Sequence, residues 1–188
     1  MLDAEEQLYL GLHAIKENNP QAAIEHFKEC LINSPDHPKA TYLLGAIYAQ
    51  IGMYDRAKDF LQKAIVINPS EFTGRFQLGL LHLTSGEIEM ARTVWHELDG
   101  LGPDHFLNLF KSAMLALIED NFELCVDLID KGVASNSVND SLNGDMQKVR
   151  AAAEEALTQR AEPTGTAASN VSHLVLSGYQ QAQQDTDQ

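Results

Sequence analysis

The side chains in this sequence with the greatest potential for chemistry are seven histidines and two cysteines. A metal site needs several such groups at a spacing that brings them together on one helix face or one loop. His13, His26 and His96 lie on predicted helices without such an arrangement, and the pair of His26 with Glu29 is of a kind common on helix surfaces. We expect no metal site and no cofactor.

Nucleophilic catalysis is not indicated either. Cys30 and Cys125 occupy positions where closely packed helices usually carry alanine, which predicts buried structural thiols. A nucleophilic cysteine needs a positioned base, and the sequence offers no matching histidine. It also contains no G-x-S-x-G, P-loop or G-x-G-x-x-G motif. We predict that the protein is not an enzyme and acts through its surface.

Charge and hydropathy narrow the class of partner. The 188 residues carry a formal net charge of −14, which repels nucleic-acid phosphates and anionic lipids. No apolar run approaches the roughly 18 residues of a membrane span, and acidic residues near the N-terminus replace the positive charge of a signal peptide. We predict a cytoplasmic protein with protein partners, no nucleic acid and no membrane insertion.

The elements that would present such a surface recur every 34 residues. The recurring positions are Gly11, Gly45, Gly79 and Ala113, then Ala23, Ala57, Ala91 and Cys125, then Phe27, Leu61, Trp95 and Ile129. Proline closes the first three units at Pro35, Pro69 and Pro103. Because apolar residues within each unit follow a helical period and proline interrupts helices, each unit is predicted to contain two helices.

Small and flexible residues predict how the two helices of a unit meet and turn. Gly45 is expected to face Ala57 and Ala64 and to let the helices approach closely, since a helical glycine otherwise costs about 1 kcal/mol. The turns are predicted at residues that tolerate a left-handed backbone, namely Asn18, Gly52, Gly86 and Asp120.

This pattern resembles the tetratricopeptide repeat, a helix–turn–helix unit of 34 residues. The resemblance implies an all-α fold, a right-handed α-solenoid of four units with a C-terminal capping helix. The units are expected at 4–37, 38–71, 72–105 and 106–137. The predicted helix pairs are 4–17 with 20–33, 38–51 with 54–67, 72–85 with 88–99, and 105–119 with 122–134.

The last unit of a stack needs a cap over its apolar face. Residues 138–160 are predicted to supply this capping helix, and its apolar face is formed by Leu142, Met146, Val149, Ala153 and Leu157. Residues 161–170 have the composition of a flexible linker.

Residues 171–188 are predicted to contain an apolar docking segment followed by a polar tail. The apolar side chains of the segment are Val171, Leu174, Val175, Leu176 and Tyr179. We expect the segment either to pack as a short helix on its own chain or to dock in an apolar groove. A groove on a second copy would give self-association through the tail.

The resemblance also implies where a partner binds, because the first helix of each unit lines a concave groove in this family. The predicted partner-binding residues are Leu8, Leu12, Tyr42, Ala46, Phe76, Leu80, Phe110 and Met114. Some family members grip a chaperone's C-terminal carboxylate with lysine, asparagine and arginine. The corresponding positions here are Leu8, Leu12, Leu43, Thr73 and Gln77, which offer no charged donor, so a co-chaperone role is not expected.

The predicted function is therefore that of a non-catalytic scaffold or adaptor that binds an apolar peptide or helix in its groove. The alternative is a dedicated cytosolic chaperone for a client protein, similar to the helical-repeat chaperones of type III secretion.

Overall fold

The computed structural model describes residues 2–161, and every regular element in this range is helical. The elements are α1 (Ala4–Lys16), α2 (Pro20–Asn33), α3 (Pro38–Gln50), α4 (Tyr54–Ile67), α5 (Phe72–Thr84), α6 (Ile88–Trp95), the 3-10 helix η1 (His96–Leu101), α7 (Phe106–Ile118), α8 (Phe122–Ser135) and α9 (Asp140–Ala161). Helices follow one another as pairs joined by short turns. The prediction of an all-α fold of helix–turn–helix pairs is confirmed, while the count of four repeat units stays a prediction.

The chain divides after Val94 into two compact units. In the first unit, α1 packs on α2, α2 on α3, α3 on α4 and α4 on α5, and α3 also contacts α5. In the second unit, η1 and α8 pack on α7, and α9 packs on α8. Each unit therefore builds its core from helices that are neighbours in the sequence.

Local sequence signals explain where several helices begin. Asp3 and Glu6 form a reciprocal capping box at the start of α1, with N···O distances of 2.8 and 2.9 Å. Asn19 accepts the amide hydrogen of Ala22 at the start of α2, and Pro20 follows it at the first helical position. These caps satisfy amide groups that the first helical turn leaves without partners.

All four predicted turn residues have a left-handed backbone. The φ angles are 53° at Asn18, 73° at Gly52, 78° at Gly86 and 55° at Asp120. Glycine adopts this region without strain, and asparagine and aspartate adopt it more readily than other residues with a Cβ atom. The prediction of these turn positions is confirmed.

A large side chain of one helix lies over a glycine of its neighbour. A Cβ atom on Gly11 would lie 2.3 Å from Cε1 of Phe27, and one on Gly45 would lie 2.8 Å from Cγ of Leu61. The nearest group to Gly45 is thus Leu61, which lies on the same buried face of α4 as Ala57 and Ala64, the residues that the sequence predicts to face this glycine. The glycine makes room for a bulky side chain, which fills the helix interface better than two small groups would.

The same packing is reversed in the pair formed by α7 and α8. Ala113 replaces the recurring glycine on the first helix, and Gly132 lies on the second helix instead. A Cβ atom on Gly132 would lie 2.4 Å from Cε1 of Phe110, which projects from α7. This pair thus keeps the contact between a large side chain and a glycine, with the two partners exchanged between helices.

The element after α5 differs from its prediction. The sequence predicts a continuous helix over 88–99, whereas α6 ends at Trp95 and the 3-10 helix η1 continues to Leu101. A 3-10 turn tightens the end of an α-helix, and Gly102 then reverses the backbone with a φ angle of 91°. Leu98 is fully buried, so η1 takes part in the core of its unit.

Helix α9 covers α8 with the face that the sequence indicates. Leu142, Met146, Val149 and Ala153 are buried, whereas Leu157 is only half-buried and Ala156 takes its place in the core. Apart from Ala161, which ends α9, the predicted linker lies outside the described residues, as does the docking segment 171–179.

Candidate partner-binding surface

The predicted partner-binding residues lie on the first helices of their pairs, but many of them point into the protein interior. Phe76, Phe110 and Met114 have no exposed surface, and Leu8 and Leu80 are also buried. These side chains serve as core packing groups, and a partner would reach them only after the core had repacked. We therefore correct the expectation that they line an open groove, because their apolar surface is already removed from water within the chain.

The accessible members of the predicted set are Leu12 on α1 and Tyr42 and Ala46 on α3, and each is partly exposed. Leu12 and Tyr42 pack from the outside on the hydrophobic core of the first unit. The accessible part of the prediction is thus confined to α1 and α3. Binding of a partner at these residues stays a prediction.

Tyr42 is held at the place where α3 contacts α5. A Cβ atom on Gly74 would lie 3.1 Å from Cδ2 of Tyr42, so the glycine allows the ring to lie against α5. Burial, with a further contribution from the charge of Glu71, raises the pKa of Tyr42 to about 12, and a hydrogen bond with Gln77 opposes this rise. The hydroxyl is thus held between α3 and α5 by its contact with Gln77.

Tyr9 is an exposed aromatic residue that the predicted partner-binding set does not contain. It lies on α1 one position after Leu8, and 72% of its surface is exposed. The residue 34 positions later is Leu43, which is partly exposed and packs on the core of the first unit. The sequence already indicates these two positions, because Tyr9 directly follows Leu8 and Leu43 directly follows Tyr42, and both preceding residues belong to the predicted set. We call the set Tyr9, Leu12, Tyr42, Leu43 and Ala46 the α1–α3 surface.

The histidines that suggested chemistry have structural partners. His26 Nδ1 lies 2.9 Å from Oε1 of Gln7, and His82 Nδ1 lies 2.5 Å from Oε2 of Glu87. Lys58 Nζ also reaches Oε2 of Glu87, at 2.9 Å. The hydrogen bonds from His82 and then Lys58 lower the pKa of Glu87, which keeps this carboxylate charged and holds α4 and α5 to the turn before α6.

The two cysteines are buried free thiols. Burial raises the pKa of Cys125 to about 12, and burial together with the charge of Glu5 raises the pKa of Cys30. A thiol is reactive only as the thiolate, so neither group is suited to nucleophilic attack near neutral pH. Among residues 2–161, no three histidine, cysteine, aspartate or glutamate side chains are grouped so that they could hold a metal ion.

The helices also bear on membrane insertion. None of those in the described part of the chain is both long enough and apolar enough to cross a bilayer.

Comparison with known proteins shows which repeat the first part of the chain contains. The sequence model described as Tetratricopeptide repeat matches residues 14–74, which run from α1 into α5. Residues 14–74 are therefore tetratricopeptide-repeat sequence. A curated relative, the BBSome complex member BBS4 of Bos taurus, is 26% identical over 86 residues. The match covers 46% of this chain but only 17% of that relative, so the chain corresponds to a small part of it.

Solved structures share the tetratricopeptide-repeat fold. A MamA structure, MSR-1 C2, is 26% identical with a TM-score of 0.56, and the alignment covers 70% of this chain and 75% of MamA. TTC0263 of Thermus thermophilus, a thermophilic tetratricopeptide-repeat protein, is 16% identical with a TM-score of 0.62 and coverage of 96% and 98%. The similar structures also include a mutant O-GlcNAc transferase of Thermobaculum terrenum, of which the alignment covers 26%. Tetratricopeptide-repeat proteins generally mediate protein–protein interactions, and protein partners are the class that this family implies.

Proposed function

We propose that this tetratricopeptide-repeat protein is a non-catalytic scaffold or adaptor, and that it binds an apolar peptide or helix of a protein partner on the α1–α3 surface. The observation that carries the proposal is the exposure of Tyr9, an aromatic side chain left in water on a first helix. Tyrosine is enriched among residues that dominate binding energy at protein interfaces, because it combines a large apolar ring with one polar group.

The neighbouring side chains support an apolar ligand. Leu12, Tyr42 and Leu43 are partly exposed and pack on the same hydrophobic core, so each offers apolar surface that is held in place by the fold. A net charge of −14 favours a partner that is basic around its apolar residues.

The proposal is tested by selecting a ligand and removing the ring that should hold it. A displayed library of random peptides, each about 15 residues long, is panned on the full chain, and enriched peptides are titrated by calorimetry. Tyr9→Ala should weaken binding about tenfold or more, as expected for an interfacial hot spot.

The matched control is Ile32→Ala. Ile32 is 70% exposed but lies on α2, so its removal should leave the affinity within about twofold. Equal losses in both variants, or an unchanged affinity in Tyr9→Ala, would show that the peptides bind elsewhere. The chaperone alternative stays a prediction, and co-expression with an aggregating client would test it.

A further inference from the structure

Two histidines perform the same unusual task at the starts of two helices. His37 precedes α3 and His105 precedes α7, two repeat periods later in the sequence. Nδ1 of His37 accepts the amide hydrogen of Ala40 at an N···N distance of 3.3 Å. Nδ1 of His105 accepts the amide hydrogen of Leu107 at 3.2 Å. Both residues have extended backbones, as N-cap residues usually do.

This geometry fixes the protonation state of the His105 ring. An amide N–H can donate only to a ring nitrogen without a hydrogen, so the capping imidazole of His105 is neutral in this geometry and carries its proton on Nε2. A serine, aspartate or asparagine cap keeps its acceptor at every pH near neutrality. A histidine cap loses its acceptor when it is protonated, and the new positive charge then lies at the positive end of the helix dipole.

The two caps differ in what the rest of the ring contacts. Nε2 of His37 lies 3.1 Å from Oε1 of Glu5 on α1, so this ring faces a carboxylate. His105 instead stacks on Phe106, with a distance of 4.6 Å between ring centroids and an angle of 25° between the planes. The aromatic stack and partial burial favour the neutral form of the His105 ring. Neither contact supplies a carboxylate that would stabilise the charged form.

We infer that His105 is an acid-sensitive cap, whose protonation removes the acceptor for the Leu107 amide and releases the first turn of α7. The backbone around it depends on the same residue, since the carbonyl of His105 accepts the amide hydrogens of Asn108 and Leu109 at 2.9 and 3.0 Å. Loosening is therefore expected over the turn 102–108.

The charged groups on the elements packed against α7 are paired with one another rather than with His105. On η1, Asp99 pairs with Lys111 and also accepts from His96. On α8, Asp127 pairs with Lys131, and Asp130 pairs with Arg150 of α9. The other charged groups are Glu97 on η1, Glu123 in the first turn of α8, which adjoins the far end of α7, and Asp104, which is exposed.

The direction of the pH effect follows from burial. Burial lowers the pKa of His105 from its ordinary value of 6.5. Because the pKa of His105 is lower in the folded chain than in the unfolded chain, the stabilisation by the neutral ring is complete above about pH 6.5. This stabilisation is lost as the pH falls through the pKa of His105 in the folded chain. The hydrogen bond from Lys111 lowers the pKa of Asp99, so the ion pair between η1 and α7 persists in this range. The release is thus confined to the start of α7.

Amide exchange of the full chain tests the cap directly. Protection of the Leu107 and Asn108 amides, corrected for intrinsic exchange rates, is measured by nuclear magnetic resonance at about pH 7.5 and about pH 5.0, on either side of the ordinary histidine pKa. Protection in the wild type should fall roughly five- to tenfold at the lower pH, which is the size expected when a helix cap is lost. His105→Asn supplies an oxygen acceptor that does not titrate, so its protection should not change with pH.

His37→Asn is the matched control and should keep the wild-type fall at Leu107. The inference is overturned if His105→Asn shows the same fall as the wild type. If that variant does not fold, protonation of the wild-type His105 ring is followed through its ring resonances instead. Protonation of Nδ1 without loss of Leu107 protection would also overturn the inference.

Discussion

Single residues set the distance between paired helices in this chain. The ring of Phe27 occupies the space beside Gly11, and the ring of Phe110 occupies the space beside Gly132. Both rings are fully buried, so neither can move aside cheaply if a methyl group is added opposite. A glycine at these positions is a packing requirement, which explains why the chain accepts the helix-weakening effect of glycine.

The first prediction at this scale compares two glycine-to-alanine substitutions. Gly11→Ala should lower the free energy of unfolding by about 1–3 kcal/mol, because the new Cβ would lie 2.3 Å from the Phe27 ring. Gly144→Ala on α9 should raise it by about 0.5–1 kcal/mol, since nothing lies within 4 Å and alanine favours the helix. Urea unfolding measures both, and changes of the same sign would contradict the packing argument.

At the scale of elements, α9 is bound to α8 by an apolar face and by charged groups at its margins. Met146 and Val149 are buried. Arg150 makes two hydrogen bonds to Asp130, at 2.6 and 3.1 Å, and the guanidinium of Arg160 lies 4.9 Å from the centre of the Phe122 ring. The exposed ion pairs orient the helix, while burial of its apolar face supplies most of the stabilisation.

Truncating one buried side chain of α9 should therefore lower the free energy of unfolding. Met146→Ala is expected to cost about 2–5 kcal/mol, because it leaves a cavity where the methionine is fully buried. Gln147→Ala on the exposed side of the same helix should change stability by less than about 0.5 kcal/mol. Thermal unfolding followed by circular dichroism compares them, and equal effects would show that α9 does not cap α8.

At the scale of the whole molecule, the apolar segment 171–179 is the part whose role depends most on the proposed function. We propose that it competes with a partner for the α1–α3 surface, in its own chain or in a second copy. A linker of about ten residues spans at most roughly 35 Å when extended. Tethering of this kind raises the effective concentration of a weak ligand to the millimolar range, so low intrinsic affinity is sufficient.

Charge substitutions in the segment test this competition. Leu174→Asp combined with Leu176→Asp should raise the affinity of the selected peptides by several-fold, because an internal competitor has been removed. Gln183→Asp combined with Gln184→Asp adds the same charge beyond the segment and should leave the affinity unchanged. Titration calorimetry measures both, and identical affinities in the two double variants would rule the competition out.

The sequence by itself determined the family, the paired helices and their turns. Spacing is sufficient for this, because a period of 34 residues, helical apolar patterns and residues such as Asn18 and Gly86 act through local backbone preferences. The helical pattern of α9 likewise located four of the five apolar residues that the structure buries. Local rules of this kind do not depend on what another helix contributes.

Only the tertiary structure decided which apolar residues remain accessible. Phe76 and Tyr9 both lie on first helices, yet Phe76 is buried and Tyr9 is exposed. Burial depends on which side chains neighbouring helices supply, and one helix's own periodicity does not contain that information. The same holds for the exchange between Phe110 and Gly132, and for His105, whose capping role requires the position of a backbone amide as well as the residue type.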